Sequence, residues 1–218
     1  MSISLYGYWR SSATYRVRIA LNLKGIEYTY FPIHLVQNGG EQHTEAYLSL
    51  NPNGLVPSLV DDDEDFVLNQ SMSIIEYLDD KYPEPNKLLP PHALEKAYIR
   101  SLSQDIACDV QPLANLRVLN ALETYGCGSD KRVEWARGWI EKGFEAVEKR
   151  LQTRAGKYCF GFDVTLADIV LIPQVYNAER FGVDMDRFPI ISKITENCRA
   201  LDAFDKAAPE NQPDAKPQ

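Results

Sequence analysis

Four prolines at positions 83, 85, 90 and 91 divide this chain into two unlike parts. Proline fixes φ and lacks a backbone N–H, so neither a helix nor a central strand continues through such a segment. Before it, short β-branched and aromatic runs alternate with helix-like runs. After it, every apolar pattern is helical. The 218 residues and 24.7 kDa suit two small domains. The expected organisation is a mixed α/β domain over 1–83, a linker over 84–91 and an all-helical domain over 92–218.

The first part reads β-α-β-(α)-β-β-α, a mixed sheet with helices packed on it. Ile3 to Tyr8 is strand-like. Tyr15 to Lys24 places Val17, Ala20 and Leu21 on one helical face, and Gly25 follows where helices favour glycine. Tyr28 to Ile33 is a second strand, Glu45 to Leu50 a short helix, and Asn51-Pro52-Asn53-Gly54 a turn. Val56 to Val60 and Phe66 to Leu68 flank the acidic run Asp61-Asp62-Asp63-Glu64-Asp65, which reads as a solvated hairpin tip because like charges stay in water. Ile74, Ile75, Leu78 and Tyr82 then recur at helical spacing.

Beyond the prolines, helices are expected near 92–123, 131–153, 165–181 and 189–203. The third opens on Thr165-Leu166-Ala167-Asp168, a capping-box pattern and a structural signal. The tail from Ala207 is rich in Pro, Asp, Gln and Lys and is expected to be frayed.

The formal net charge of −8 argues against a general binder of nucleic acid or anionic membranes. No apolar run reaches the roughly 20 residues that span a bilayer, and Met1 to Gly7 lacks the basic and long apolar segments of a secretory signal. A cytoplasmic location is therefore expected. Cys108, Cys127, Cys159 and Cys198 are widely spaced and read as unpaired thiols filling core gaps, while His34, His43 and His92 lack metal-ligand spacing. No metal site is expected.

Four stretches carry chemistry. Ser11-Ser12-Ala13-Thr14-Tyr15-Arg16 lies where a strand ends and a helix begins. Unpaired N–H groups there favour negative charge, and a serine hydroxyl adds a donor. Such donors raise the reactive fraction of a thiol, which near its free pKa of ~8.5 is only slightly ionised at neutral pH. Serine is also a preferred N-cap, so this stretch alone leaves both roles open. Val56-Pro57 begins a strand after a turn, a place where a cis X–Pro bond can expose the preceding backbone groups so that an extended peptide adds as a strand. Alone the signal is weak, because only about 5–6% of X–Pro bonds are cis. Gln70-Ser71 opens another helix and offers a hydroxyl and N–H groups to a carboxylate. Gln111-Pro112-Leu113-Ala114-Asn115 lies past the linker.

In combination these stretches resemble the cytosolic glutathione transferases. The runs Ser11–Leu21, Gln70–Leu78, Gln111–Leu116 and Pro173–Phe181 are similar to the zeta class. The likeness covers nearly the whole chain except the acidic hairpin and the tail. It implies a thioredoxin-like α/β N-terminal domain, an all-α C-terminal domain, glutathione as cofactor and a homodimer. The implied reaction is cis–trans isomerisation of maleylacetoacetate in tyrosine and phenylalanine breakdown. Maleylpyruvate, small α-halo acids and a non-catalytic binding role are the alternatives. By the same resemblance Ser11 and Ser12 stabilise the thiolate. Gln42, Val56, Gln70, Ser71, Gln111 and Asn115 contact glutathione with them, and Arg180 holds a substrate carboxylate. The chain departs from the class at Ala13, where many members carry cysteine, and at Tyr15, where human-type members carry tryptophan.

Overall fold

The computed structural model describes residues 3–215, which form two compact units. One comprises the chain up to Lys87 together with the residues from Leu201 onward. The other runs from Leu88 to Ala200.

The first unit is built on a four-stranded sheet in the order β2-β1-β3-β4. β1 (Ile3–Gly7) pairs in parallel with β2 (Thr29–Pro32) and antiparallel with β3 (Ser58–Asp61), which pairs antiparallel with β4 (Phe66–Asn69). Leu5 and Leu59 face each other across β1 and β3 and are fully buried. Pro32 is tolerated because β2 is an edge strand. Two helices, α1 (Ser12–Leu23) and α3 (Ser71–Lys81), pack on each other and bury Val17, Ala20, Leu21, Ile74, Ile75 and Leu78. Gly25, at φ +63°, ends α1: its N–H donates to Asn22 O, and that of Ile26 donates to Leu21 O. The short α2 (Glu45–Leu50) starts on Thr44, whose hydroxyl accepts the Tyr47 N–H. Thioredoxin-like topology follows from this strand order and these helices.

Two expectations for this unit need correction. Asp61 does not belong to the solvated tip. It closes β3, is buried, and accepts hydrogen bonds from Tyr77 Oη at 2.6 Å and Lys81 Nζ at 2.7 Å, while residues 62–65 are exposed. Nor is the tail frayed up to residue 215. α9 (Asp202–Ala207) packs on α1, and Ala207, Ala208, Pro209 and Gln212 are buried. The segment after Leu201 therefore belongs with the N-terminal unit rather than with the helical domain expected over 92–218. Residues 216–218 of that tail lie outside the described residues.

The second unit is helical. It comprises α4 (Ala93–Gln104), α5 (Leu116–Thr124), α6 (Ser129–Leu151), α7 (Leu166–Arg180) and α8 (Pro189–Arg199). The helix expected over 92–123 is broken: a π-helical turn over Asp105–Val110 and a 3₁₀ turn over Gln111–Ala114 separate α4 from α5. Pro112 lacks the N–H an α-helix needs and crowds the carbonyl four residues earlier. Cys108, in the π turn, is exposed and Cys127, after α5, is half-buried, so only Cys159 and Cys198 fill the core as expected. The capping box is present, and the carboxylate of Asp168 accepts the N–H groups of Thr165 and Cys159 at 2.8 and 2.7 Å. Every residue of α7 from Leu166 to Val175 is buried, making it the central helix of the unit. Leu88 and Leu89 are also buried, and Leu88 O accepts the Leu166 N–H, so the end of the expected linker is part of this unit. Among the described residues no helix is long and apolar enough to cross a membrane.

Candidate active site

The end of β1 and the start of α1 form a tight turn. Gly7 leaves no room for a Cβ because Thr14 packs against it. Ser11, in extended conformation, donates its N–H to Tyr8 O at 3.0 Å and caps α1 by accepting the Thr14 N–H on Oγ at 3.2 Å. Capping uses a lone pair of the hydroxyl and leaves its O–H available to donate. The cap and the anion donor are therefore compatible roles for one side chain. Ser12 is buried in the first turn. The N–H groups of Ser12 and Ala13 have no backbone acceptor outside the helix among the described residues. They form the positive end of a twelve-residue helix.

Arg16 connects this turn to the next candidate. Its guanidinium is buried and donates from Nη1 to Ser71 Oγ at 3.3 Å, joining α1 to the first residue of α3. Gln70, just before it, holds φ +72° and ψ 113°, an uncommon backbone conformation for a non-glycine residue. Such outliers cluster at ligand-binding positions. Val56 is half-buried, is followed by a cis bond to Pro57, and precedes β3, so its backbone polar groups stand outside the ladder. The neighbouring Leu55 O accepts from Tyr47 Oη and Asn51 Nδ2, each at 2.7 Å, which fixes the approach to Val56. Gln42 is buried. Its Nε2 donates to Leu35 O at 3.3 Å, while Oε1 has no hydrogen-bond partner among the described residues.

In the helical unit, Gln111 is half-buried where the π turn meets the 3₁₀ turn. Asn115 caps α5, its Oδ1 accepting the Arg117 N–H at 3.1 Å, which leaves Nδ2 as a donor. Arg180 is the exposed last residue of α7. It donates from Nη1 to Asn177 Oδ1 at 3.3 Å and lies over the rings of Phe181 and Tyr176.

A family model described as the glutathione S-transferase N-terminal domain matches residues 5–86. A probable maleylacetoacetate isomerase from Vibrio cholerae is 50% identical over 216 residues, covering 99% of both chains. The solved holo structure of a bacterial maleylpyruvate isomerase, a zeta-class glutathione S-transferase, superposes with a TM-score of 0.93 at 42% identity, covering 98% of this chain and 100% of that one. This chain belongs to the zeta-class glutathione transferases. The transferase is also similar to the maleylacetoacetate isomerase of Anaeromyxobacter dehalogenans, solved with dicarboxyethyl glutathione and citrate in its active site. The TM-score is 0.88 and the identity 39%, over 99% of this chain and 98% of that one.

In this zeta-class transferase the Tyr15 departure falls in the core. The ring is buried, and its hydroxyl donates to Phe204 O of α9 at 3.5 Å. Ala13 is half-buried in the first turn of α1 and brings no thiol there. The sequence reading missed the residues that hold the Ser11 turn from outside. Arg18 is fully buried and donates from Nε to Ala207 O and from Nη2 to Trp9 O, each at 2.9 Å. Burial pushes this guanidinium below its ordinary pKa, against the fields of Tyr30, Tyr28, Tyr15 and Asp214. An arginine inside an otherwise apolar helical face was the one available signal, since such a charge is buried only when its donors are met.

Proposed function

We propose that this transferase catalyses the glutathione-dependent cis–trans isomerisation of maleylacetoacetate to fumarylacetoacetate. The observation that carries the reading is the start of α1, where one hydroxyl and two N–H groups converge without an acidic neighbour in the first turn. That donor set suits a thiolate. Glutathione fits the remaining candidates as well. The buried Oε1 of Gln42 offers an acceptor for an amide N–H, Val56 offers both backbone groups to an extended peptide, and Ser71 at the start of α3 offers donors to a carboxylate. Gln42, Val56, Gln70, Ser71, Gln111 and Asn115 would hold the tripeptide, and Ser11 and Ser12 its sulfur.

The chemistry that glutathione supplies when bound is a sulfur nucleophile for reversible addition to the cis double bond, which frees rotation about it. Ser11 Oγ–H and the N–H groups of Ser12 and Ala13 favour the negative form of that sulfur. Because the nucleophile comes from the cofactor, Ala13 in place of cysteine removes nothing the reaction requires. Arg180, with a side chain exposed at the end of α7, binds a substrate carboxylate and offsets negative charge that develops as the bond order falls. A homodimer and a cytoplasmic location belong to the same reading.

Maleylpyruvate is the second substrate to weigh, favoured by the full-length likeness to the bacterial maleylpyruvate isomerase. The deciding experiment follows isomerisation of both maleyl compounds with and without glutathione. Turnover of maleylacetoacetate that requires glutathione supports the reading. Turnover of maleylpyruvate alone transfers it to that substrate, and no glutathione-dependent turnover of either overturns it.

A further inference from the structure

The turn between β1 and α1 has no ladder of its own. Trp9 and Arg10 lie outside both elements, yet Ser11 depends on where they run. Both backbone polar groups of Trp9 are held by side chains. Its carbonyl accepts Arg18 Nη2 at 2.9 Å, and its N–H donates to Asp214 Oδ2 at 2.9 Å. Tyr8 O, which accepts the Ser11 N–H at 3.0 Å, also accepts Arg18 Nη1 at 3.5 Å. The same Oδ2 of Asp214 accepts the Tyr30 hydroxyl of β2 at 3.3 Å. One carboxylate oxygen thus joins the C-terminal segment, an edge strand and the turn before Ser11.

The segment that presents Asp214 is itself fastened. Gln212 Nε2 donates to Lys206 O and Ala208 O at 2.9 and 2.8 Å, and Asn211 Nδ2 donates to Asp205 O at 2.7 Å. α9 is tied to α1 by Asn22 Nδ2, which donates to Ala203 O at 2.9 Å, and by Arg18 Nε on Ala207 O. Asp214 also contributes to the field that favours charge on Arg18. A tail whose only purpose was to cover α1 would need none of the contacts to Trp9.

We propose that Asp214 is a positioning residue for the isomerase reaction: with Arg18, it fixes the Trp9–Ser11 turn and so aims the Ser11 hydroxyl at the sulfur it is to stabilise. This rests on the reading of Ser11 given above. Asp214 touches neither sulfur nor substrate. It acts through the backbone of Trp9, and a shift of about 1 Å in such a group is enough to cost roughly 100-fold in rate.

The test uses the full-length chain with Asp214→Ala, Asp214→Asn and Ser11→Ala. Asparagine keeps an acceptor oxygen for the Trp9 N–H and the Tyr30 hydroxyl, so it is the conservative variant and remains informative if alanine impairs folding. Three properties are read: amide hydrogen exchange over residues 8–14, the ultraviolet thiolate band of bound glutathione at fixed pH, and kcat against the glutathione KM. Asp214→Ala is expected to speed exchange at Trp9 and Ser11, weaken the thiolate band and lower kcat by roughly 10- to 100-fold. KM should change less than about threefold, because most glutathione contacts lie elsewhere. Asp214→Asn should restore most of all three. Unchanged exchange in Asp214→Ala overturns the clamp. Faster exchange with an unchanged thiolate band and kcat overturns its role in aiming Ser11. A thiolate band that survives Ser11→Ala overturns the reading of Ser11 itself, and the aiming role with it, whatever Asp214→Ala does. Loss of kcat and KM in parallel, not rescued by asparagine, reduces Asp214 to a structural contact and overturns the proposal.

Discussion

Lys24 Nζ lies 2.6 Å from Asp79 Oδ1, with the two side chains 0% and 4% exposed, and this ion pair ties the end of α1 to the last turns of α3. Lys24 also donates to Asn86 O, so its ammonium is met by a carboxylate and a carbonyl. Removing one member of such a pair takes the ion-pair partner from a buried charge. Lys24→Met is expected to destabilise the protein by about 3–5 kcal/mol in urea denaturation, and adding Asp79→Leu should recover most of that loss. A single-mutant cost below about 1 kcal/mol would show that the pair behaves as a solvated one.

Asp61 predicts how stability responds to acid. Burial alone would push its carboxyl up, but hydrogen bonds from Lys81 and Tyr77 outweigh that and hold it below the usual range. A carboxyl with a depressed folded pKa contributes stability above its unfolded pKa, and the contribution disappears as pH falls through the folded value. The window therefore lies below about pH 4, near the ordinary carboxylate pKa. Asp61→Asn should cost about 1.5–3 kcal/mol at pH 7, as for hydrogen bonds to a charged group, and progressively less in strong acid. Denaturation curves of parent and variant that stay equally far apart from pH 7 to pH 2 would reject this account.

The same residue shows where sequence reading runs out. The run 61–65 is uniformly acidic, and nothing local separates Asp61 from its neighbours. Only pairing of β3 with β1 and β4, and the arrival of Lys81 from α3, make it a buried acceptor. The expectation for the tail from Ala207 failed for a similar reason. Its composition resembles a frayed tail, but its anchors are Arg18 and Trp9, 189 and 205 residues away in sequence. The features read correctly were local ones: the Ser11 cap, the Gly25 stop, the Thr165–Asp168 box and the alternation of strand and helix before the prolines. Pro112, inside the helix expected over 92–123, carried a local signal for a break that the expectation did not use, and nothing local marked the π turn that precedes it. At the candidate site, Ser11 and Ser71 were legible as hydroxyls at helix starts, whereas nothing local showed that Arg16 would be buried and link α1 to Ser71.

Ser11→Ala should lower turnover by roughly 10- to 1000-fold, as for loss of one preorganised anion donor, with a much smaller change in glutathione affinity. Steady-state kinetics at saturating glutathione, paired with titration calorimetry, separates the two effects. The Thr14 N–H also loses its cap, so a modest fall in stability of about 1 kcal/mol accompanies the substitution. Activity equal to that of the parent would remove Ser11 from the mechanism and make Ser12 the next candidate.

Assembly is checked by mass. The homodimer reading expects light scattering to give about twice the 24.7 kDa of one chain at micromolar concentration, as interfaces of ordinary size do. A mass of one chain under those conditions would reject it.

Arg180→Ala should weaken the dicarboxylate substrate while leaving glutathione binding nearly intact. The guanidinium is exposed at the end of α7, held over Phe181 and Tyr176 and bonded to Asn177, so its planar face is already oriented before any ligand arrives. Truncating one partner of a desolvated charge pair costs about 2–5 kcal/mol, whereas a solvated pair is worth about 0–1. As a substrate clamp, Arg180 predicts at least a ~30-fold fall in kcat/KM for the maleyl substrate, since each 1.4 kcal/mol is about tenfold. Arg180→Lys, which keeps the charge but loses the fork of donors, should fall between parent and alanine. Glutathione affinity is the internal control, because loss of fold would reduce both together. A change smaller than about threefold makes Arg180 an ordinary surface arginine by the same arithmetic. The clamp would then be sought at Arg10, which is half-buried over the Trp9 ring one residue before Ser11, or at Arg117 in the first turn of α5.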